Sequence, residues 1–88
     1  MTHPNDRQPT AKHGNSREVL LSRAPVELFK ILKFEGLAGS GGEAKAAIAA
    51  GQVRVNGKPD LRKRRQIVAG DRIEFAGEEL RIRLAPPG

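Results

Sequence analysis

The 88-residue chain has no cysteine, tryptophan or tyrosine, and only three phenylalanines and one methionine. Without cysteine there is no disulfide scaffold, no thiolate metal site and no thiol nucleophile, and nothing ties the fold to an oxidising compartment. Without Trp or Tyr the core must be built from Leu, Ile, Val and Ala, and at 38% hydrophobic residues it is a small one. Long apolar runs are missing as well. No stretch approaches the roughly 18 apolar residues of a membrane span, and the opening "MTHPNDRQPTAKHGNS" lacks the apolar centre of a secretory signal. Export and membrane insertion are disfavoured, and a cytoplasmic protein is the expectation. Histidine is scarce too: His3 and His13 both fall in this polar opening, where neither is expected to be held within reach of a proton-transfer partner.

What is present is positive charge, and it is concentrated. The formal net charge is +6. Residues 52–65 carry Arg54, Lys58, Arg62, Lys63, Arg64 and Arg65 against Asp60 alone, whereas residues 25–51 balance three lysines with three glutamates. A focused patch of this kind creates a local field that attracts polyanions.

The pattern of elements points to α+β architecture. Residues 1–16 are polar and aperiodic and read as a disordered tail. "REVLLS", Arg17–Ser22, reads as a strand at a sheet edge. Pro25 fits the first turn of a helix over Val26 to Glu35, with Leu28, Ile31 and Leu32 on one face and Gly36 as the stop. Ser40 followed by Glu43 forms a capping box, with the carboxylate expected to return to the Ser40 amide. Ala44, Ala47 and Ile48 then give a second helix its inner face, and Gly51 ends it. Beyond Gly51 the period changes to 2. Val53 and Val55 flank Arg54, Asn56-Gly57 marks a type I′ turn, and Gly70-Asp71 marks another turn. Ile73, Phe75, Leu80, Ile82 and Leu84 alternate with charged residues, and "AGEE" reads as the hairpin loop between their strands. The expected fold is two short helices, a helix-turn-helix-like pair, packed on a small bent antiparallel sheet.

The candidate site is the run Arg62–Arg65, which follows Pro59-Asp60 close to the Asn56-Gly57 turn and the end of the second helix. Four adjacent cations repel one another. They are tolerated when solvated and stabilised when phosphates neutralise them, a role suited to the planar Arg fork. Arg54 faces outward on the same hairpin, Lys58 extends the patch, and Lys45 on the outward face of the second helix flanks it. All three Phe read as core residues, so base stacking is unsupported, and phosphate and shape recognition of folded or double-helical RNA fits better. Other constellations carry less. Ser40 is an N-cap rather than a nucleophile, Glu78-Glu79 reads as a solubilising turn, and "GSGG" lacks the preceding strand and Lys-Ser/Thr of a phosphate loop, leaving Gly41 and Gly42 as a minor anion-accepting helix start. No catalytic group, metal site or cofactor is expected. Anionic lipid is disfavoured because no apolar anchor lies beside the basic run.

The order of elements resembles the RNA-binding domain named for small-subunit ribosomal protein four: a short helix, the capped "SGGEAKAAIAAG", the hairpin "QVRVNGK" and a later "VAGDRIEF", over about residues 25–75. More narrowly, "VELFKILKFEGLAGSGGEAKAAIAAGQVRVNG" with "RKRRQIVAGD" is similar to small stand-alone bacterial proteins made of little else, with an extra strand before the first helix. The resemblance implies a non-enzymatic RNA-binding domain with structured RNA of the ribosomal or transfer class as partner and a place in translation or on the ribosome; the chain as a whole is expected to be a single, monomeric domain over residues 17–85. Its RNA-facing surface would comprise Lys45, Gln52, Arg54, Lys58, Arg62, Lys63, Arg64 and Arg65. This chain departs from the family pattern in having Gly41 where many members have Arg, and Val26-Glu27-Leu28 where many have Arg-Leu-Asp. The alternative expectation is a protein-interaction adaptor in a ribosome-associated complex whose basic loop docks an acidic partner.

Overall fold

The computed structural model describes residues 15–86. Strand β1 (Asn15–Leu21) is followed by β2 (Val26–Glu27), helices α1 (Leu28–Phe34) and α2 (Gly41–Ala49), and strands β3 (Arg54–Val55), β4 (Lys58–Pro59), β5 (Gln66–Ile67), β6 (Arg72–Phe75) and β7 (Glu78–Leu84). One sheet has the order β1-β7-β6-β3-β4, and β2 pairs with β5 in a separate two-stranded sheet. The fold is α+β as expected. Residues 1–14, with both histidines, lie outside the described residues; Asn15 and Ser16, expected in the tail, belong to β1.

The expected all-antiparallel sheet is corrected at its edge. β1 runs parallel to β7, from Asn15 opposite Glu78 to Leu21 opposite Leu84, and Ala85 prolongs the contact by donating to the Leu21 carbonyl at 2.8 Å. Parallel neighbours need a long crossover, and here everything between residues 21 and 78 supplies it. Alternation of apolar residues is blind to direction: Val19 and Leu21 point inward and Leu20 outward whichever way the strand runs.

The first helix is shorter than its sequence pattern. Val26 and Glu27 pair with Ile67 and Gln66, so helical geometry begins only at Leu28, and Pro25 precedes β2 rather than opening the helix. Both helices end in the same way. The Gly36 and Leu37 amides donate to Lys33 and Leu32 carbonyls, those of Gly51 and Gln52 to Ile48 and Ala47, and each glycine takes the positive φ such an ending requires. At the start of α2 the Ser40 hydroxyl accepts from the Glu43 amide at 3.1 Å, while the Glu43 carboxylate reaches past Ser40 to the Gly39 amide at 2.8 Å.

Leu28, Ile31 and Leu32 of α1 and Ala44 and Ile48 of α2 share one core with the inward side chains of the sheet, among them Val55, Ile73, Leu80 and Ile82. Truncating one of the large ones to alanine would cost about 2–5 kcal/mol. Phe34, expected in that core, is instead 68% exposed at the end of α1, and Val68 is also exposed, beyond β5. The β6–β7 connection is the two residues Ala76 and Gly77, both at positive φ, which places Glu78 and Glu79 inside β7 and not in a loop.

Candidate nucleic-acid interface

The basic run is a fixed loop organised around one carboxylate. Asp60 is only 7% exposed. Its Oδ1 accepts from the Arg62 backbone N–H and from Arg62 Nε, each at 3.0 Å, and its Oδ2 accepts from Arg62 Nη2 at 2.9 Å and Arg65 Nη1 at 2.6 Å. The Arg62 hydrogen bond is the main reason the Asp60 carboxyl is held far below the usual aspartate range; the Arg62 amide and Arg65 add to the effect and burial opposes it. Reciprocally, Asp60 raises the Arg62 guanidinium above its ordinary value. The mutual repulsion of adjacent cations is thus relieved from beneath by a single buried anion.

The loop is also tied to α1 through its backbone. The Arg65 amide closes a turn on the Arg62 carbonyl at 2.9 Å, and the Arg65 and Lys63 carbonyls accept from the Leu28 and Phe29 amides at 2.9 and 3.1 Å. Those amides are the unpaired donors at the start of α1, where Glu27 gives no side-chain cap. With its carbonyls turned inward, the loop carries its side chains outward: Arg62, Lys63 and Arg64 are exposed and Arg65 half-buried.

Arg64 leans to the opposite side from Arg62. Its Nη1 donates to both Glu27 carboxylate oxygens, at 3.3 and 3.1 Å, and this bond is the main cause of a lowered Glu27 pKa. Lys30 Nζ lies 3.4 Å from the same carboxylate. Beneath them Phe29 offers its ring to three cations: Lys45 Nζ at 4.5 Å from the centroid, Arg64 at 5.5 Å and Lys30 Nζ at 6.0 Å, all within cation–π reach. Lys45 is therefore half-buried against Phe29, not simply outward. A side chain added at Gly41 would stand 3.7 Å from the same ring. Gly41 thus faces a place already furnished with cations from three other points of the chain.

The two turn dipeptides lock the neighbouring hairpin. Asn56 and Gly57, both at positive φ, close the β3–β4 turn. Asn56 donates its amide to Asp71 at 3.0 Å and accepts from the Arg72 amide at 2.9 Å, while Asp71 also accepts from the Val68 amide at 3.0 Å. Asn56-Gly57 and Gly70-Asp71, fourteen residues apart in sequence, are one assembly.

The eight sequence-derived candidates thus fall into separate groups. Lys58, Arg62 and Arg65 line one cleft beside the β3–β4 hairpin; Lys45 and Arg64 each lie within cation–π reach of the Phe29 ring. Lys63 stands exposed between them with no ion pair among the described residues. Arg54 lies on the outer face of the sheet, opposite Glu74, and Gln52 lines a different hollow with Leu37 and Phe75. Reading the sequence missed Asp60, Glu27, Phe29 and Lys30. Asp60 alone left a signal there, as the single acid in a run of six bases.

Among the described residues no three His, Cys, Asp or Glu side chains gather as a metal ion would need, and no helix is long and apolar enough to cross a membrane. A family model described as "S4 domain" matches residues 19–83. The Escherichia coli (strain K12) protein named "Putative RNA-binding protein YbcJ" is 51% identical over 57 residues, covering 65% of this chain and 81% of its own, and the Shigella flexneri YbcJ protein matches equally. The solution structure of E. coli YbcJ, described as revealing an "alfaL" motif involved in RNA binding, superposes with a TM-score of 0.58 at 38% identity. That superposition covers 88% of this chain and 95% of the YbcJ chain.

Proposed function

Because this chain belongs to the S4 domain family, matched over residues 19–83, we propose that it is a non-catalytic, monomeric RNA-binding protein that recognises structured RNA by phosphate contacts and shape. The observation that carries this reading is the fixed basic loop. Buried Asp60 orients Arg62 and Arg65 from below, so these groups meet a phosphate backbone with little conformational freedom left to lose. A rigid array of this kind suits a fixed phosphate spacing, such as that of an A-form helix, better than a flexible single strand. The similarity to YbcJ supports the same ligand class. The RNA-binding unit is residues 17–85 with its motif in 25–75, the ligand is RNA of the ribosomal or transfer class, and the protein works in the cytoplasm in association with the ribosome.

A salt titration of binding to an RNA hairpin, a matched DNA duplex and single-stranded RNA tests this reading. Wild type should prefer the hairpin, with an affinity that falls steeply with salt in proportion to the phosphates neutralised. The variant Arg62→Ala/Lys63→Ala/Arg64→Ala/Arg65→Ala should lose both affinity and salt slope. Equal, weak binding to all three ligands, unchanged in the variant, would point instead to the loop docking an acidic protein.

A further inference from the structure

The cleft beside the β3–β4 hairpin, about 510 Å³ in volume, is lined by Lys58, Pro59, Leu61, Arg62 and Arg65 over buried Asp60. This is within the range of sites that take a small ligand. Leu61 is unexpected there. It is 62% exposed although it sits among charged residues, and it is presented rather than loose. The chain is pinned on both sides of it, by the Asp60 amide on the Val53 carbonyl at 3.1 Å and by the Arg62 amide on the Asp60 carboxylate at 3.0 Å. Its Cδ2 lies 3.8 Å from where a Cβ on Gly51 would stand, at the end of the second helix.

We propose that this cleft is a seat for a single unpaired nucleotide of the bound RNA, with its base against Leu61 and Pro59 and its two flanking phosphates on Lys58 and Arg62. The inference rests on the RNA-binding reading and goes beyond it. Phosphate contact alone would require only cations. An apolar wall between cations fits a ligand that is apolar in the middle and anionic on either side, and a nucleotide in a chain has that form. A paired base hides both faces in the stack, so the ligand is a bulged or looped-out base. The charges agree: Lys58, Arg62 and Arg65 against Asp60 leave two positive charges for two phosphates. The cleft has little with which to read base identity. The Asp60 oxygens are occupied by Arg62 and Arg65, and Asn56, at the rim, spends its amide on Asp71 and Arg72. The site therefore selects an unpaired nucleotide without choosing which one.

The test compares two RNA hairpins identical except for one bulged nucleotide, in competition binding to wild type, Leu61→Ser and Lys58→Ala. Wild type should bind the bulged RNA about 10-fold tighter. Leu61→Ser should bring the two affinities together while leaving the fully paired RNA within about twofold of wild type. Lys58→Ala should weaken both RNAs, and all four bases at the bulge should bind alike. A 2-aminopurine placed in the bulge should change its fluorescence on adding wild type and not on adding Leu61→Ser, with thermal melting showing both proteins folded. Equal affinity of wild type for the two RNAs overturns the seat and leaves the proposed function standing. So does an equal loss for both RNAs in Leu61→Ser. Failure of wild type to bind either RNA overturns both.

Discussion

The basic loop and the outer face of the sheet are built from the same residue types and behave as opposites. On the outer face Arg72 lies 3.3 Å from Glu79 and Arg83 lies 2.9 Å from Glu18, diagonal pairs on neighbouring strands that interleave the two signs. Arg72 and Arg81 stand directly opposite each other, an unfavourable like-charge pair tempered by Glu79 beside one and Glu18 opposite the other. In the loop the anion is beneath the cations, not between them. Asp60 is buried while Arg62 is exposed, so the carboxylate fixes geometry and the positive charge is what solvent sees. The deepest of these carboxylates, that of Asp60, lies beneath its arginines, whereas Glu18 and Glu79 stand among theirs.

The contrast is broken most forcefully by removing the loop cations. Substituting residues 62–65 by alanine should lower RNA affinity by about 10²-fold or more at low salt, read by fluorescence anisotropy, whereas Arg81→Ala/Arg83→Ala should change it by less than about threefold. Removing the buried anion comes next. Asp60→Asn should cost about 2–3 kcal/mol in denaturant unfolding at pH 7, because it strands Arg65 and loosens the loop. The folded carboxyl titrates far below its ordinary value of about 3.8. Its contribution is therefore complete above that value and is lost progressively as pH falls from there toward the much lower folded value, so the stabilities of wild type and Asp60→Asn should begin to approach each other only below about pH 4 and keep approaching down to strongly acidic pH. Glu27→Gln sharpens the contrast from the other side: it frees Arg64 and Lys30 from their shared carboxylate and should tighten RNA binding about two- to threefold. Smallest of all, Glu79→Gln on the outer face, whose half-buried carboxylate meets an exposed Arg72, should move stability by less than about 1 kcal/mol.

The parts legible in the sequence were those whose signals are local. The Ser40 cap on the Glu43 amide, the glycines at 36 and 51, and the positive-φ Asn56-Gly57 turn are local features and are found where expected, though the Glu43 carboxylate settles on the Gly39 amide and not that of Ser40. The parts that were not legible depend on distant partners. Val26 and Glu27 look like the first turn of a helix until β5 claims them, forty residues later. Asp60 looks like one more loop acid until its burial is known, and nothing in the sequence says that the Arg65 carbonyl will complete the start of α1. Phe34 has the right spacing for a core residue but falls where the helix ends and its cover stops. The candidate cations were visible as a composition, and their division between the hairpin cleft and Phe29 was visible only in space.

The parallel register of β1 against β7 has a consequence for synthesis. Asn15 opposite Glu78 and Leu21 opposite Leu84 mean that one of the first strands made has no partner until one of the last is complete. Contacts so distant in sequence are slow to form, while α1 and α2 find each other across a short turn. The helix pair and the basic loop can thus take shape while β1 waits. Arg17, which reaches from β1 to the Glu35 carbonyl at the end of α1, arrives with it as the last clasp on a domain otherwise assembled.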